Sequence, residues 1–234
     1  MKLKTIIPVA IAAAIPFAAI VSLAKDLPVT ADEQKKLTPE AVLTDLMEGN
    51  ARYVTGKLTD PNVKESVAAA TGGQYPKAFI LSCIDSRVPV EQVFDQGLGD
   101  IFVGRVAGNI ENTDQLGSME FAAKVAGVKL VLVMGHEACG AVKGACDHVK
   151  LGNITALLDN IQPAVSKVAG ELKVGEANSK NKKFVDDVIE ENVRQTMKDI
   201  REKSPLLAEM EKAGEIKIVG AVYSLHTGKV SKID

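Results

Sequence analysis

Residues 77–87 read Lys-Ala-Phe-Ile-Leu-Ser-Cys-Ile-Asp-Ser-Arg, and residues 128–140 read Val-Lys-Leu-Val-Leu-Val-Met-Gly-His-Glu-Ala-Cys-Gly. Each is a short apolar run that breaks into a polar turn. Apolar runs without alternation are the pattern of strands covered on both faces, as in a parallel sheet. Strands are therefore expected at Lys77–Cys83 and Val128–Met134, with a further candidate at Asp100–Gly104. The last strand is expected at Ile216–Leu225, turning at His226-Thr-Gly228, and an extended piece at Lys229–Ile233.

Helical patterns lie between these runs. Thr38-Pro39-Glu40 opens one, with Thr38 as N-cap and Pro39 at the first helical position. Asn112–Ala126 reads as a helix that turns Leu116, Met119, Phe121, Ala122 and Val125 inward. Ala138–Val149 reads as another, and Ile154–Lys212 is largely helical with a loop at Gly170–Asn181. Asp26–Lys36 reads as a loose polar arm, and Gly56–Gly73 has no clear pattern. Strands alternating with helices define an α/β fold, a mostly parallel central sheet flanked by helices.

Composition narrows the function classes. Of 234 residues, 25% are charged and 46% hydrophobic, as in ordinary globular chains. The net charge of −2 leaves no electrostatic footprint for nucleic acid. Aromatics are 4% with no Trp, which removes base-stacking platforms, and three Cys cannot frame a disulfide-based fold.

At the N-terminus, Lys2 and Lys4 precede an uncharged run from Thr5 to Ala24 that ends in Ser22-Leu23-Ala24. This is the pattern of a secretory signal peptide over residues 1–24. An uncleaved anchor has the same length, but Pro8, Pro16 and the Ala-rich centre favour cleavage after Ala24. The expectation is an exported, periplasmic or otherwise extracytoplasmic protein. Residues 25–234 would form its one domain, with an N-terminal helical arm and no stable membrane association.

In open α/β sheets, ligands bind beyond the carboxyl ends of the strands. Both quoted segments reach that rim, and between them they carry Cys83, His136 and Cys139. Two thiolates and an imidazole suit zinc, and three protein ligands leave one position free. Cys139 also lies near a helix N-terminus, where the dipole favours a thiolate. Asp85-Ser86-Arg87 is by itself an ordinary solvated turn with an ion pair. Beside a metal, Asp85 can orient a reacting oxygen or become a fourth ligand in a closed state, and Arg87 can hold it back.

Cys83-Ile-Asp85-Ser-Arg87 followed by His136-Glu-Ala-Cys139-Gly140 resembles the β class of carbonic anhydrases. The similarity runs from about Tyr75 to Val149, through Ile101–Asn109 and Gly117–Ala122, and resumes at Val219–Tyr223 and Thr227-Gly228. The resemblance implies zinc-dependent, reversible hydration of carbon dioxide to bicarbonate and a proton by hydroxide held on the metal. It implies one Zn2+ per subunit on Cys83, His136 and Cys139, and Asp85 with Arg87 as the catalytic dyad. Phe121 and Gly140 would lie at the substrate pocket, with Gln74 and Phe102 contributed by the neighbouring subunit of a homodimer or larger homo-oligomer. Members often carry Tyr at the position of Phe121 and a small residue at that of Glu137. Carbon disulfide or carbonyl sulfide hydrolysis is compatible with the same fold. A non-catalytic zinc or thiol redox protein is a third reading, against which the Asp85–Arg87 pair argues. Cys146 is expected to be packing, Arg105 and Asn109 structural, and His148 and His226 surface residues or proton relays.

Overall fold

The apolar runs become strands β1 (Ala78–Ser82), β2 (Ile101–Arg105), β3 (Leu130–His136), β4 (Lys217–Tyr223) and β5 (Val230–Ile233). They form one sheet in the order β2-β1-β3-β4-β5. The first four are parallel, and β5 returns antiparallel on β4. The structure is a computed structural model and describes residues 27–60, 62–171 and 175–233. The signal peptide read at 1–24 lies outside them. Among the described residues no helix is long and apolar enough to cross a membrane.

The helices before β2 are α1 (Ala31–Gln34), α2 (Pro39–Val54), α3 (Val63–Ala70) and α4 (Val90–Val93). After it come α5 (Thr113–Glu120), α6 (Gly140–Cys146), α7 (Gly152–Asp159), α8 (Gln162–Glu171), α9 (Lys182–Lys203) and α10 (Pro205–Lys212). Alternate strand residues point to opposite faces. Ala78, Ile80, Leu130, Leu132 and Met134 meet Val42 and Leu46 of α2 and Val90 and Val93 of α4. Phe79, Leu81, Val131 and Val133 meet Met119 of α5, Val193 and Met197 of α9, and Leu207 of α10. A third cluster packs α6, α7, α8 and the first half of α9 over the carboxyl rim and includes Cys83 and Cys139.

Local rules set the helix starts. Thr38 caps α2 through the Ala41 amide with Pro39 following, and Asn181 caps α9 through the Phe184 amide. Gly49 of α2 is a close approach: a Cβ there would collide with the Phe94 carbonyl oxygen.

Three expectations are corrected. The polar arm is docked. Thr30 and Glu33 form a capping box on α1, and buried Gln34 donates to the carbonyls of Pro76 and Ala126. Gly56–Gly73 contains α3. Phe121 and Val125 are not inward: they are 50% and 71% exposed, while Ala122 and Ala123 are buried. The helix widens into a π turn at Phe121–Val125 after α5, which shifts its phase.

Lys77, at the foot of β1, is fully buried and pairs with Asp45 of α2 at 2.7 Å. Removing one partner leaves a buried charge uncompensated, whereas removing both does not. Lys77→Met should lower unfolding stability by about 3–5 kcal/mol. The double variant Lys77→Met with Asp45→Leu should recover most of that loss, as urea denaturation midpoints will show.

Candidate metal centre

Parallel pairing sets Ser82 of β1 beside Met134 of β3. Cys83 therefore leaves the sheet next to the stretch that carries Gly135 and His136. His136 is the last residue of β3 rather than part of the following turn, paired with Tyr223 of β4. Cys139 is the N-cap residue of α6. The Cys83 Sγ, Cys139 Sγ and a ring nitrogen of His136 lie within 4.8 Å of one another, all three residues buried. The two sulfurs are 4.0 Å apart. Two 2.3 Å bonds at a tetrahedral angle span about 3.8 Å, so the spacing suits zinc.

The imidazole has one free direction. His136 Nδ1 lies 2.9 Å from the Glu137 carbonyl oxygen. A carbonyl only accepts, so Nδ1 carries the proton and Nε2 keeps its lone pair. Nε2 is buried without a hydrogen-bond partner. A buried acceptor facing two thiols and lacking a donor is the signature of a metal ligand.

The thiols share their charge. A hydrogen bond from Cys139 holds Cys83 well below an ordinary thiol, against the effect of burial, helped by the Gly108 amide at 3.4 Å. The same bond, with burial, pushes Cys139 up, although the Val142 and Ala141 amides oppose the shift. Gly108 has φ +75°, and a Cβ there would lie 2.7 Å from the Ile161 side chain. Its carbonyl accepts from Asn192 Nδ2 of α9 at 2.8 Å. Glycine is thus required at the point where the backbone reaches the sulfur.

Asp85 follows in a tight turn closed by the Val88 amide on the Asp85 carbonyl. Arg87 grips it twice, Nε to Oδ1 at 2.9 Å and Nη2 to Oδ2 at 2.7 Å, and its backbone amide adds a third bond to Oδ1. These bonds hold the Asp85 carboxyl far below the usual carboxylate range, outweighing its partial burial. Oδ2 sits 3.8 Å from His136 Nε2, so an ionised oxygen borders the ligand cluster.

Arg105, at the end of β2, has the structural part expected of it. Its Nε donates to the Cys83 carbonyl at 2.8 Å and its Nη2 to the Asp85 carbonyl at 2.6 Å. The guanidinium thus fixes the backbone on both sides of Ile84. The sequence marked Arg105 as structural without showing which carbonyls it holds, and it did not mark Gly108 or Asn192. The Arg105-Val-Ala-Gly-Asn109 stretch was the available signal, because it follows β2 onto the same rim.

Cys146 ends α6 among Val142, Ala145 and Leu158, and burial pushes its thiol up to about 11. Gln74 is exposed and precedes β1, at the end opposite Cys83. Phe102 on β2 meets Phe121 at a centroid distance of 6.4 Å. Both line an open groove of about 740 Å³ along the free edge of β2. Gly140 is exposed as the first residue of α6, and His148 and His226 are exposed. Asp85 and Arg87 join the three ligand candidates around one point of this chain.

A family model described as carbonic anhydrase matches residues 78–230. Carbonic anhydrase 2 of Mycobacterium tuberculosis is 35% identical over 192 residues, covering 82% of this chain and 91% of its own. The carbonic anhydrase of Mycolicibacterium smegmatis is 36% identical over 193 residues, covering 82% and 92%. The crystal structure of the β-carbonic anhydrase CafA of Aspergillus fumigatus has a TM-score of 0.65 at 26% identity, covering 83% of this chain and 90% of its own. The chain belongs to the carbonic anhydrase family, in its β class. These are zinc enzymes that interconvert carbon dioxide and bicarbonate.

Arg105→Ala should leave β1 intact but loosen the turn after it. The Arg87 and Val88 amides, both bonded to Asp85, should exchange about fivefold to tenfold faster, as hydrogen-exchange spectra will report. Arg105→Lys should recover little of the protection, because an ammonium cannot span two carbonyls as a fork does.

Proposed function

We propose that Cys83, His136 and Cys139 hold the zinc of this carbonic anhydrase and that Asp85 and Arg87 form its catalytic dyad. The orphaned, buried Nε2 of His136 facing two thiols carries this reading. When bound, zinc supplies the Lewis acidity that makes hydroxide available near neutral pH. The chain supplies orientation. Asp85 Oδ1 is filled by two Arg87 donors, whereas Oδ2 takes one and keeps a lone pair towards the cluster. That lone pair can accept the O–H of the attacking oxygen and turn it towards carbon dioxide. Held by Arg87, the carboxylate acts as an acceptor rather than as a fourth ligand.

The substrate pocket is completed by a second copy of the chain in this reading. Phe121 and Gly140 come from one subunit, and Gln74 and Phe102 from its neighbour. Support comes from the half-exposed Phe121 and the unpaired β2 edge, apolar surface that a homodimer would cover. Residues 25–234 act as one catalytic domain, since strands drawn from residue 78 to residue 233 share one sheet. The basic start, uncharged run and small residues of 1–24 support export of a bacterial protein, to the periplasm or beyond, with no stable membrane association after cleavage.

Purified protein should carry about one zinc per chain and hydrate carbon dioxide. Cys139→Ser should lose metal and activity together, and Cys146→Ser should keep both, measured by elemental analysis and a stopped-flow hydration assay. Zinc lost from Cys146→Ser and kept by Cys139→Ser would contradict the ligand set.

The dyad makes a second test. Arg87→Ala and Asp85→Ala should each retain zinc and lose activity on the order of a hundredfold. They should differ towards added azide. Asp85→Ala leaves the metal accessible and binds it readily, whereas in Arg87→Ala the freed carboxylate competes with it. Equal azide affinity in the two fully loaded variants would remove the restraining role of Arg87.

A further inference from the structure

Glu137 lies inside the ligand turn, between His136 and Cys139, and every polar group it owns is engaged. Its amide donates to the Tyr223 carbonyl at 3.0 Å, extending the β3–β4 ladder by one bond. Its carbonyl accepts the His136 Nδ1–H. Its carboxylate Oε2 lies 3.0 Å from Ser224 Oγ, just beyond the end of β4.

The direction of that last bond is fixed. Ser224 Oγ also faces the amides of His226 at 3.3 Å and Thr227 at 3.4 Å. Amides only donate, so both lone pairs of the hydroxyl are used and its proton goes to Glu137. The turn that carries Ser224 is itself anchored. Asn50 of α2 donates to the Gly228 carbonyl and accepts from the Val230 amide. A continuous series of hydrogen bonds therefore runs from α2 through the β4–β5 turn to the Glu137 carboxylate.

The ligand turn needs such an anchor. Ala138 holds φ +54°, a left-handed conformation that a side-chain-bearing residue adopts only when its surroundings enforce it. The 137–138 peptide includes the carbonyl that fixes the His136 tautomer. If this peptide turned, Nδ1 would lose its acceptor and Nε2 its aim.

We propose that Glu137 is a positioning residue for His136: tethered to Ser224, it holds the 137–138 peptide so that its carbonyl keeps Nδ1 protonated and Nε2 directed at the two thiols. The inference rests on His136 being a zinc ligand. It predicts that tether and metal affinity move together, because partners that orient a ligating histidine set how firmly it binds.

The test uses the full zinc-loaded chain and the chromogenic chelator pyridylazoresorcinol, following zinc release at fixed pH. Glu137→Ala and Ser224→Ala should each release zinc on the order of tenfold faster than the parent. The double variant should be no faster than either single one, because both break the same bond. Glu137→Gln should stay near the parent rate, since its amide oxygen still accepts from Ser224. A second readout separates positioning from general stability. The difference in melting temperature between zinc-loaded and zinc-stripped protein should narrow in the two alanine variants, whereas a merely structural tether lowers both states equally. Unchanged release rates, multiplicative effects in the double variant, or an unchanged melting difference each overturn the proposal. Failure of the ligand set itself shows separately, as zinc missing from the parent protein or fully retained by Cys139→Ser.

Discussion

The parallel pairing of β1 with β3 is the constraint on which the centre depends. Ser82 and Met134 are register partners, so the chain leaves two adjacent strands at the same height. One strand then delivers Cys83 and the other His136, without any long loop having to find its place. α6 begins four residues beyond His136, and its N-cap residue Cys139 comes back over the same rim. The ligands stand on strand ends and a helix start, elements whose positions are set by apolar packing on both sheet faces. Rigid elements hold a ligand set more closely than loops do.

Burying these donors is costly in the absence of a cation, and the surrounding structure offsets only part of that cost. The Cys83 sulfur has an amide from Gly108, and the Cys139 sulfur has the first amides of α6. His136 Nε2 has nothing. A buried polar atom left unpaired costs on the order of 1–3 kcal/mol. That deficit is what a bound divalent ion removes, so metal binding and folding stability are linked at this site.

Legibility in the sequence followed the range of each interaction. Continuous apolar runs marked β1 and β3, because burial on both faces leaves a local trace. The spacing His136-x-x-Cys139 and the turn Asp85-Ser86-Arg87 are local as well. Phe121 and Val125 were read as inward because a 3.6-residue period was carried through a segment that winds as a π turn. The arm before α2 was read as loose because its anchor, Gln34, is polar and acts by capping distant carbonyls. The partners of Arg105 and Glu137 escaped for the same reason: each bonds groups that are close only in the folded chain.

The dyad obeys a different logic from the ligands. The Asp85 and Arg87 side chains are 14% and 56% exposed. An ion pair so open to water contributes little to stability. Its three bonds are nevertheless local, all made within two residues, so the pair assembles whether or not the rest of the centre is complete. What it cannot set locally is where the carboxylate stands relative to His136. That distance is imposed by Arg105, which holds the carbonyls of Cys83 and Asp85 with one rigid fork. One arginine therefore restrains the carboxylate and the other positions the backbone beneath it.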